Sequence, residues 1–350
     1  DLLTEYAAQL STKITALGSD YLPLYDIVDE RSIVNSIVGL LATGGSTNHT
    51  MHIVAYARAA GIIITWDDFA QLSKVVPSLT RIYPNGQADI NHFHAAGGMA
   101  FLVKQLLAGG LLHEDVNTIM GKGLQHYTKE PFVENGKLVW KDGTDTSLDM
   151  EVVRPIDQPF SPEGGLVLLT GNLGRAVMKV SAVKAENRVI EAPAVVFHSQ
   201  NDLADAISSG ELKRDCVAVV RFQGPKAIGM PELHKLTPYL GNLQDQGYKV
   251  ALVTDGRMSG ASGKVPAAIH LTPEAVDGGL IAKIQDGDLL RVDANNSTLT
   301  VLISEQELAQ RTAISQDLTH SHQGMGRELF SGQRRLVNGA EQGACSLFND

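Results

Sequence analysis

Residues 216–222, CVAVVRF, and residues 248–254, YKVALVT, are two apolar runs that a helix-like segment separates. Short valine-rich runs of this kind, bounded by turn residues, are typical of buried strands. Between them, Pro231 suits the first turn of a helix, and Gly247 ends the helical pattern. A strand, a crossover helix and a second strand predict a parallel pair. The stretch therefore predicts an α/β fold.

Each strand of this pair is followed by a polar, glycine-rich loop. The loops are QGPKAIGMPE, residues 223–232, and DGRMSGASGK, residues 255–264. Ligands of open α/β sheets bind at the carboxyl ends of parallel strands, so we expect Glu232 and Ser259 to face one cleft. The alternative is that both loops are only tight turns, for which glycine is a routine residue.

The second loop does not match a phosphate-binding P-loop. That motif requires a glycine five residues before Gly263 and a hydroxyl residue after Lys264, whereas Met258 and Val265 occupy these positions. Because the sequence has no G-x-G-x-x-G motif either, a nucleotide-binding enzyme is the least favoured class.

The composition is that of an ordinary globular chain, with 350 residues, 43% hydrophobic residues and a net charge of −10. This charge argues against a nucleic-acid or anionic-membrane surface. No apolar run approaches the roughly 18 residues of a membrane span. The chain starts at Asp1, and neither a signal-peptide pattern nor a C-x-x-C motif is seen, so we expect a cytoplasmic protein with no membrane partner.

The pattern of apolar residues changes along the chain. Up to about residue 150 it predicts mostly helices, including one over 47–60 capped by Ser46, one starting near Thr65 and one over 93–108. Loop-rich sequence at 140–165 is followed by short predicted strands: 166–169, 176–182, 189–191, 194–198, 289–293 and 298–303. We therefore expect two domains, residues 1–155 and 156–350.

Several stretches together resemble the dihydroxy-acid and sugar-acid dehydratase family, and they follow the family's order. They are ATGGSTNHTMH (42–52), NHFHAAGG (91–98), LTGNLGRAVMKVSAV (169–183), RFQGPKAIGMPELHKL (221–236) and TDGRMSGASGKVPAAIHLTPEA (254–275). The NHT after GGST and the Gln in RFQGP differ from the GGSTNA and YEGP of branched-chain dihydroxy-acid enzymes. They resemble the branch that acts on a phosphorylated sugar acid.

The resemblance implies a lyase that dehydrates 6-phospho-D-gluconate to 2-keto-3-deoxy-6-phosphogluconate in the Entner–Doudoroff pathway. It implies a [4Fe-4S] cluster, a Mg²⁺ ion beside it and a homodimer. The implied fold is the helix-rich remainder of an N-terminal α/β domain, followed by a swivelling, barrel-like β/β/α domain. The family's cluster cysteines lie upstream of ATGGSTN, and neither Cys216 nor Cys345 matches one. The chain is thus expected to be the C-terminal part of a longer enzyme.

The resemblance assigns Ser259 as the base that takes the C2 proton. A serine is a weak base in water, so it needs a metal, Arg257 or loop N–H groups to stabilise its alkoxide. The alternative is a turn serine that caps its own loop. Glu232 occupies the position from which the family reaches Mg²⁺, and a carboxylate is a suitable hard ligand. The alternative is that the Glu232 carboxylate only stabilises the first turn of a helix.

Other polar residues are candidates for binding the substrate. Arg257, which could bind its carboxylate with two hydrogen bonds, and Asp255 are two of them. The alternative is an Asp255–Arg257 pair that only holds the loop. Ser262 is a candidate for hydrogen bonding to the substrate, and Lys226 and Lys264 are candidates for binding its phosphate. An amide and four histidines could recognise the longer sugar acid: Asn48, His49, His52, His92 and His94. Solvated lysines and structural histidines are the common alternatives, and we expect His270 to support the site.

Two other functions compete with dehydration of 6-phosphogluconate. One is a dehydratase for another sugar acid or dihydroxy acid, which a convergent set of phosphate-binding residues would distinguish. The other is a protein that binds acidic sugars without a cluster, which family-pattern cysteines upstream would exclude.

Overall fold

The computed structural model describes residues 1–258 and 263–348. They form two compact units, each built from separate stretches of the chain. The first unit comprises Asp1–Gly44, Ala57–Ile63 and Leu72–Gly164, and the second comprises Gly45–Tyr56, Ile64–Gln71 and the described part of the chain from Gly165 onward. The sequence pattern gave no sign that residues 45–56 and 64–71 pack with the later unit. The domain limit at residue 155 stays a prediction.

Helices dominate the N-terminal part of the chain. They are α1 (Leu2–Lys13), α2 (Leu24–Ile27), α3 (Glu30–Thr43), α4 (His49–Ala59), α5 (Trp66–Ser73), α6 (Ile90–Ala95) and α7 (Gly98–Ala108). Helices α4 and α5 start in the second unit and end in the first. In the described part of the chain, no helix is both long and apolar enough to cross a membrane.

Helix α3 shows how the sequence sets the limits of an element. Asp29 accepts a hydrogen bond from the Ser32 amide at 2.8 Å, and the Ser32 hydroxyl completes a capping box. At the other end, Gly44 takes a left-handed conformation with φ 57°, which glycine adopts without steric cost. The buried residues Ile33, Ile37 and Leu41 recur at helical spacing, so one apolar face lies against the core of the first unit.

The helix predicted over residues 93–108 is in fact two helices, α6 and α7, so this prediction was wrong. Gly97 separates them with φ 128°. A Cβ atom there would lie 2.9 Å from Phe101 Cβ and 2.9 Å from Thr144 Cγ2. The break therefore needs a residue without a side chain, and the close approach explains the glycine.

Two small antiparallel sheets complete the first unit. Strands β1 (Asn117–Thr118) and β2 (Gly121–Lys122) form one, and β3 (Lys129–Glu134) and β4 (Lys137–Asp142) form the other. The helical pattern predicted for this half of the chain missed both. The turn of the second hairpin lies at Asn135 and Gly136, both with positive φ, a known hairpin signal.

The second unit contains a closed eight-stranded barrel with the order β10-β6-β5-β12-β11-β7-β8-β9. Its strands are β5 (Leu166–Gly171), β6 (Gly174–Lys179), β7 (Val189–Phe197), β8 (Cys216–Val220), β9 (Val250–Thr254), β10 (Ala267–Thr272), β11 (Leu289–Asp293) and β12 (Thr298–Val301). Its core includes Met178, Val217, Val253, Leu290 and Leu299. The mixed α/β fold class with a barrel-like second half is confirmed.

Strand β7 corrects the prediction of two strands at 189–191 and 194–198. Residues 189–193 pair with β11, and residues 194–197 pair with β8. Pro193 lies where the strand changes partner, so its missing N–H interrupts no continuous ladder. One strand therefore runs through a proline that the sequence pattern treated as a break.

The remaining helices lie in the second unit. They are α8 (Gln200–Ser209), α9 (Pro225–Ile228), α10 (Leu236–Asp245), α11 (Glu305–Gln310), α12 (Thr319–His322) and α13 (Ser331–Leu336). Short 3₁₀ turns occur at Leu124–Thr128, Ala185–Asn187, Ala275–Asp277, Leu280–Lys283, Arg327–Phe330 and Ala340–Gln342. The helix predicted to start at Pro231 was wrong, because α10 begins only at Leu236.

Candidate active site

The parallel strands of the barrel direct their carboxyl ends toward one edge. Strands β8 and β9 pair in parallel, with Cys216 opposite Val250 and Val220 opposite Thr254, which confirms the predicted parallel pair. Strands β7 and β10 continue the parallel set on either side. The loops after β8 and β9 therefore leave the same edge of the sheet, where α/β proteins commonly place ligands.

Asp255 ties these loops together. Its carboxylate is completely buried and accepts hydrogen bonds from the backbone amides of Phe222 at 3.1 Å, Gln223 at 2.9 Å and Ala275 at 2.9 Å. Burial raises the pKa of this carboxyl, and the amide bonds oppose the rise. Phe222 has φ 63°, an uncommon value for a bulky residue, at the point that Asp255 holds. These contacts favour a loop-holding role over substrate binding.

Glu274 makes a second connection between loops. Its buried carboxylate accepts hydrogen bonds from the Lys226 amide at 2.9 Å and the Ala227 amide at 3.1 Å. Burial raises its pKa to about 7. No pattern in the sequence indicated a role for this residue. Together with Asp255 it fixes the loop after β8 against the segment after β10.

Arg257 and Glu232 lie side by side where the loops after β8 and β9 meet. Their backbones form a parallel bridge, and Arg257 Nε donates to the Met230 carbonyl at 2.7 Å. Arg257 Nη1 lies 3.8 Å from Glu232 Oε1, a loose ion pair. Within the described residues, Glu232 rather than Asp255 is the acid beside Arg257, so the alternative of an Asp–Arg pair was wrong. Because Glu232 lies outside any helix, its alternative role in stabilising a helix start was wrong as well.

The TNHT segment, residues 47–50, contributes to the same unit. Helix α4 places His49 and His52 on one side, with ring centroids 6.3 Å apart, which confirms that they share a helical face. Burial lowers the pKa of His52, and the neighbouring His49 and Arg257 lower it further. His52 therefore belongs to the surroundings of Arg257. Asn48 is buried, and its Oδ1 has no partner among the described residues.

His270 is the histidine at the centre of this group. It is fully buried, has φ 59°, and lies with Nδ1 3.3 Å from the Thr50 hydroxyl. Burial lowers its pKa to about 3, and Arg257 and His52 contribute to the shift. The ring is therefore neutral at physiological pH. Its Nε2 has no partner within the described residues. In the sequence, the single indication of a role for His270 was its position after the strand-like residues Ala267–Ile269.

The two lysines predicted for the phosphate have acidic neighbours. Lys226 Nζ lies 2.5 Å from Asp277, and Lys264 Nζ lies 2.5 Å from Asp245. Both pairs are partly or largely exposed to solvent. Their charges are thus already compensated on the surface, which favours the alternative of solvated surface lysines.

The other predicted histidines belong to the first unit. The His92 ring contacts Asp89 at 2.8 Å and completes the capping box at the start of α6, which supports the structural alternative. His94 contributes to an apolar cavity of about 410 Å³ with Tyr6, Met99 and Trp140. The proposed roles of His92 and His94 in substrate binding stay predictions. Ser259 and Ser262 lie outside the described residues, so their roles stay predictions too.

The described residues do not fit an iron–sulfur cluster. Cys216 is buried at the start of β8, and burial raises its pKa to about 11, whereas a cluster ligand must be a thiolate. Cys345 Sγ accepts a hydrogen bond from the Leu347 amide. Among the described residues, no three His, Cys, Asp or Glu side chains come together as a metal site. For Mg²⁺ this unit offers Glu232, an exposed single carboxylate.

Comparison with known proteins identifies the family. The model for the C-terminal part of dihydroxy-acid/6-phosphogluconate dehydratases matches residues 151–344, and the model for the N-terminal part matches residues 2–127. The chain belongs to the dihydroxy-acid/6-phosphogluconate dehydratase family. The loops after β8 and β9 lie inside the first match, and the TNHT segment lies inside the second.

Several curated members of the family are similar along nearly the whole chain. A phosphogluconate dehydratase of Pseudomonas aeruginosa is 61% identical over 99% of this chain, and one of Escherichia coli K12 is also 61% identical over 99%. A dihydroxy-acid dehydratase of Ignicoccus hospitalis is 38% identical over 88%. The chain spans 57% and 58% of the length of the first two relatives.

Proposed function

We propose that this chain belongs to a hydro-lyase that dehydrates 6-phospho-D-gluconate to 2-keto-3-deoxy-6-phosphogluconate in the Entner–Doudoroff pathway. The observation that carries the proposal is the 61% identity, over 99% of the chain, to proteins named phosphogluconate dehydratase. A similarity of 38% to a dihydroxy-acid dehydratase is much weaker. The grouping of Arg257, His49 and His52 in one unit supports an acidic substrate.

The reaction removes the proton from C2 and the hydroxyl from C3. The hydroxyl leaves with a proton as water, and the resulting enol takes up a proton at C3 to become the 2-keto acid. Ser259 is the proposed base for C2. Arg257 lies two residues before Ser259 in the sequence, and a cation beside a hydroxyl would favour its charged form.

The described residues are proposed to bind and orient the sugar acid. The Arg257 guanidinium, held at Nε by the Met230 carbonyl, presents its outer nitrogens to the substrate carboxylate. A planar guanidinium suits a carboxylate because two parallel hydrogen bonds fix its orientation. The His52 ring, with a lowered pKa, stays neutral at pH 7 and can both donate to and accept from sugar hydroxyls. Asn48 and His49 extend this polar wall.

Glu232 is the proposed contribution of this chain to a Mg²⁺ site. A bound Mg²⁺ ion would neutralise the carboxylate of the substrate while proton loss builds up negative charge. A [4Fe-4S] cluster has no ligand set among the described residues, so no step is derived through one. A cytoplasmic homodimer is part of the same proposal.

The test is an anaerobic assay of the complete enzyme with 6-phosphogluconate, in which the 2-keto product is measured and gluconate is the control. The proposal predicts product from the phosphorylated acid alone. Product from gluconate at an equal rate would assign the enzyme to another sugar acid. Tight binding of 6-phosphogluconate without any product, by a complete polypeptide that takes up no cluster on reconstitution, would instead favour a protein that binds acidic sugars without a cluster.

A further inference from the structure

Lys179 is a cation at the end of strand β6, within the otherwise apolar stretch AVMKV. It is paired across the sheet with Leu166 of β5. The side chain is largely withdrawn from solvent, and burial lowers its pKa to about 8. A lysine that still carries its charge at neutral pH in such a place needs compensation, because burying an unpaired ammonium is costly.

No acid among the residues that the structure describes provides that compensation. Within residues 1–258 and 263–348, no hydrogen bond or ion pair involves the Lys179 ammonium, and burial is the single cause of its lowered pKa. The lysines predicted for the phosphate differ, since Lys226 and Lys264 each have an aspartate at 2.5 Å. Lys179 is thus a half-buried cation whose charge no acidic side chain among the described residues compensates.

The surroundings of Lys179 connect it to the candidate active site. It contributes to a small cavity of about 20 Å³, which is room for about one water-sized oxygen. The other walls include Thr47, Met258, Gly263, Val265 and Ile269. Thr47 directly precedes Asn48 in the TNHT segment. Met258 and Gly263 directly precede and follow the segment that contains Ser259 and Ser262.

We propose that Lys179 binds an oxyanion of the substrate, either its carboxylate or its phosphate. The proposal rests on the function proposed above and adds a residue to its binding site. An oxyanion supplies the negative charge that the protein does not, and one of its oxygens fits the space beside the ammonium. A hydrogen bond to a charged group contributes about 1.5–3 kcal/mol, so its loss corresponds to a roughly 10- to 150-fold weaker interaction.

The test compares Lys179→Met, which keeps the aliphatic stem, with Lys179→Arg, which keeps the charge. Lys184→Met is the matched control, because Lys184 is an exposed residue 4.0 Å from Glu186. In the complete enzyme we expect Lys179→Met to raise KM for 6-phosphogluconate at least 10-fold with a smaller change in kcat. Lys179→Arg should recover part of the loss. An unchanged KM in Lys179→Met would overturn the proposal.

Two probes separate the possible oxyanions. Inhibition by inorganic phosphate should weaken in Lys179→Met if the lysine holds the phosphate, and inhibition by gluconate should weaken if it holds the carboxylate. Unchanged inhibition by both would contradict the assignment. If wild-type enzyme shows no turnover, the proposed function fails, but binding of the two probes to wild type and variant still tests Lys179.

The same lysine can be tested without a substitution, in case Lys179→Met does not fold. At pH 8, an amine-selective label should modify Lys179 more slowly in the presence of phosphate or gluconate than in triethanolamine hydrochloride buffer alone. Peptide mapping should show no such protection at Lys184. Equal labelling of Lys179 under all three conditions would overturn the proposal.

Discussion

Thr50 and His270 lie 220 positions apart in the sequence, and the Thr50 hydroxyl meets His270 Nδ1 at 3.3 Å. That hydroxyl donates its one proton to the Thr47 carbonyl at 2.8 Å. Its oxygen must therefore accept the proton of His270 Nδ1, which leaves Nε2 as an unprotonated acceptor. The contact fixes the tautomer of the ring and links the TNHT segment to strand β10.

His270 should make stability depend on pH. Its pKa is about 3 in the folded protein and about 6.5 in an unfolded chain. Between these pH values the unfolded state binds more protons than the folded state, so the free energy of unfolding rises with pH. The contribution of His270 to stability is therefore lost as pH falls from 6.5 toward 3. The loss from this group reaches about 1.4 kcal/mol per pH unit. Urea unfolding at pH 7, 6 and 5 measures it.

The variant His270→Asn isolates this effect, because asparagine tolerates the positive φ and can still donate to Thr50. The stability of wild type relative to this variant should decline as pH falls from 7 to 5. His320→Asn, at an exposed position of α12, should parallel wild type. An equal slope in wild type and His270→Asn would show that His270 is not buried as a neutral ring.

Asp255→Asn should destabilise the loops after β8 and β9. The substitution places an amide group where a buried carboxylate accepts three backbone N–H groups. A donor that faces another donor leaves buried groups unsatisfied, at a cost of about 1–3 kcal/mol. Chemical denaturation measures the loss. Asp245→Asn, an exposed control, should lower the free energy of unfolding by less than about 1 kcal/mol. Equal losses of stability in the two variants would argue against the role of Asp255 as an anchor of the loops.

Arg257→Lys should weaken substrate binding while the charge is kept. Lysine cannot form the two parallel hydrogen bonds of a guanidinium, and it loses the Nε bond to the Met230 carbonyl. We expect KM for 6-phosphogluconate to rise about 10-fold or more, which corresponds to one charged hydrogen bond. Steady-state kinetics provide the measurement, with Arg335→Lys on the exposed side of α13 as the control. An unchanged KM would remove Arg257 from the carboxylate site.

The parallel pair β8–β9 could be predicted because its signals are local. Apolar runs of strand length bounded by glycine and proline specify two strands, and the chain connectivity makes them parallel. The pairing of His49 with His52 was equally accessible, since helical spacing alone places them together. The closed barrel came from the family resemblance rather than from periodicity.

The contacts that support the site could not be predicted in this way. Asp255 and Glu274 accept amides from loops that are distant in the sequence, and no residue pattern encodes which amides those are. Lys179 had a signal, a charge within an apolar strand, but the same pattern also occurs at exposed strand ends. Glu232 was misplaced on a helix because Pro231 suits both a helix start and an extended loop.

The decisive measurement for Ser259 is the anaerobic turnover of 6-phosphogluconate by wild type and Ser259→Ala, at equal cluster content. We expect wild type to form 2-keto-3-deoxy-6-phosphogluconate, and we expect the variant to lose turnover while it keeps its fold and still binds the substrate. Wild-type turnover in Ser259→Ala would contradict the assignment of Ser259 as the base and of its loop as the wall of the site.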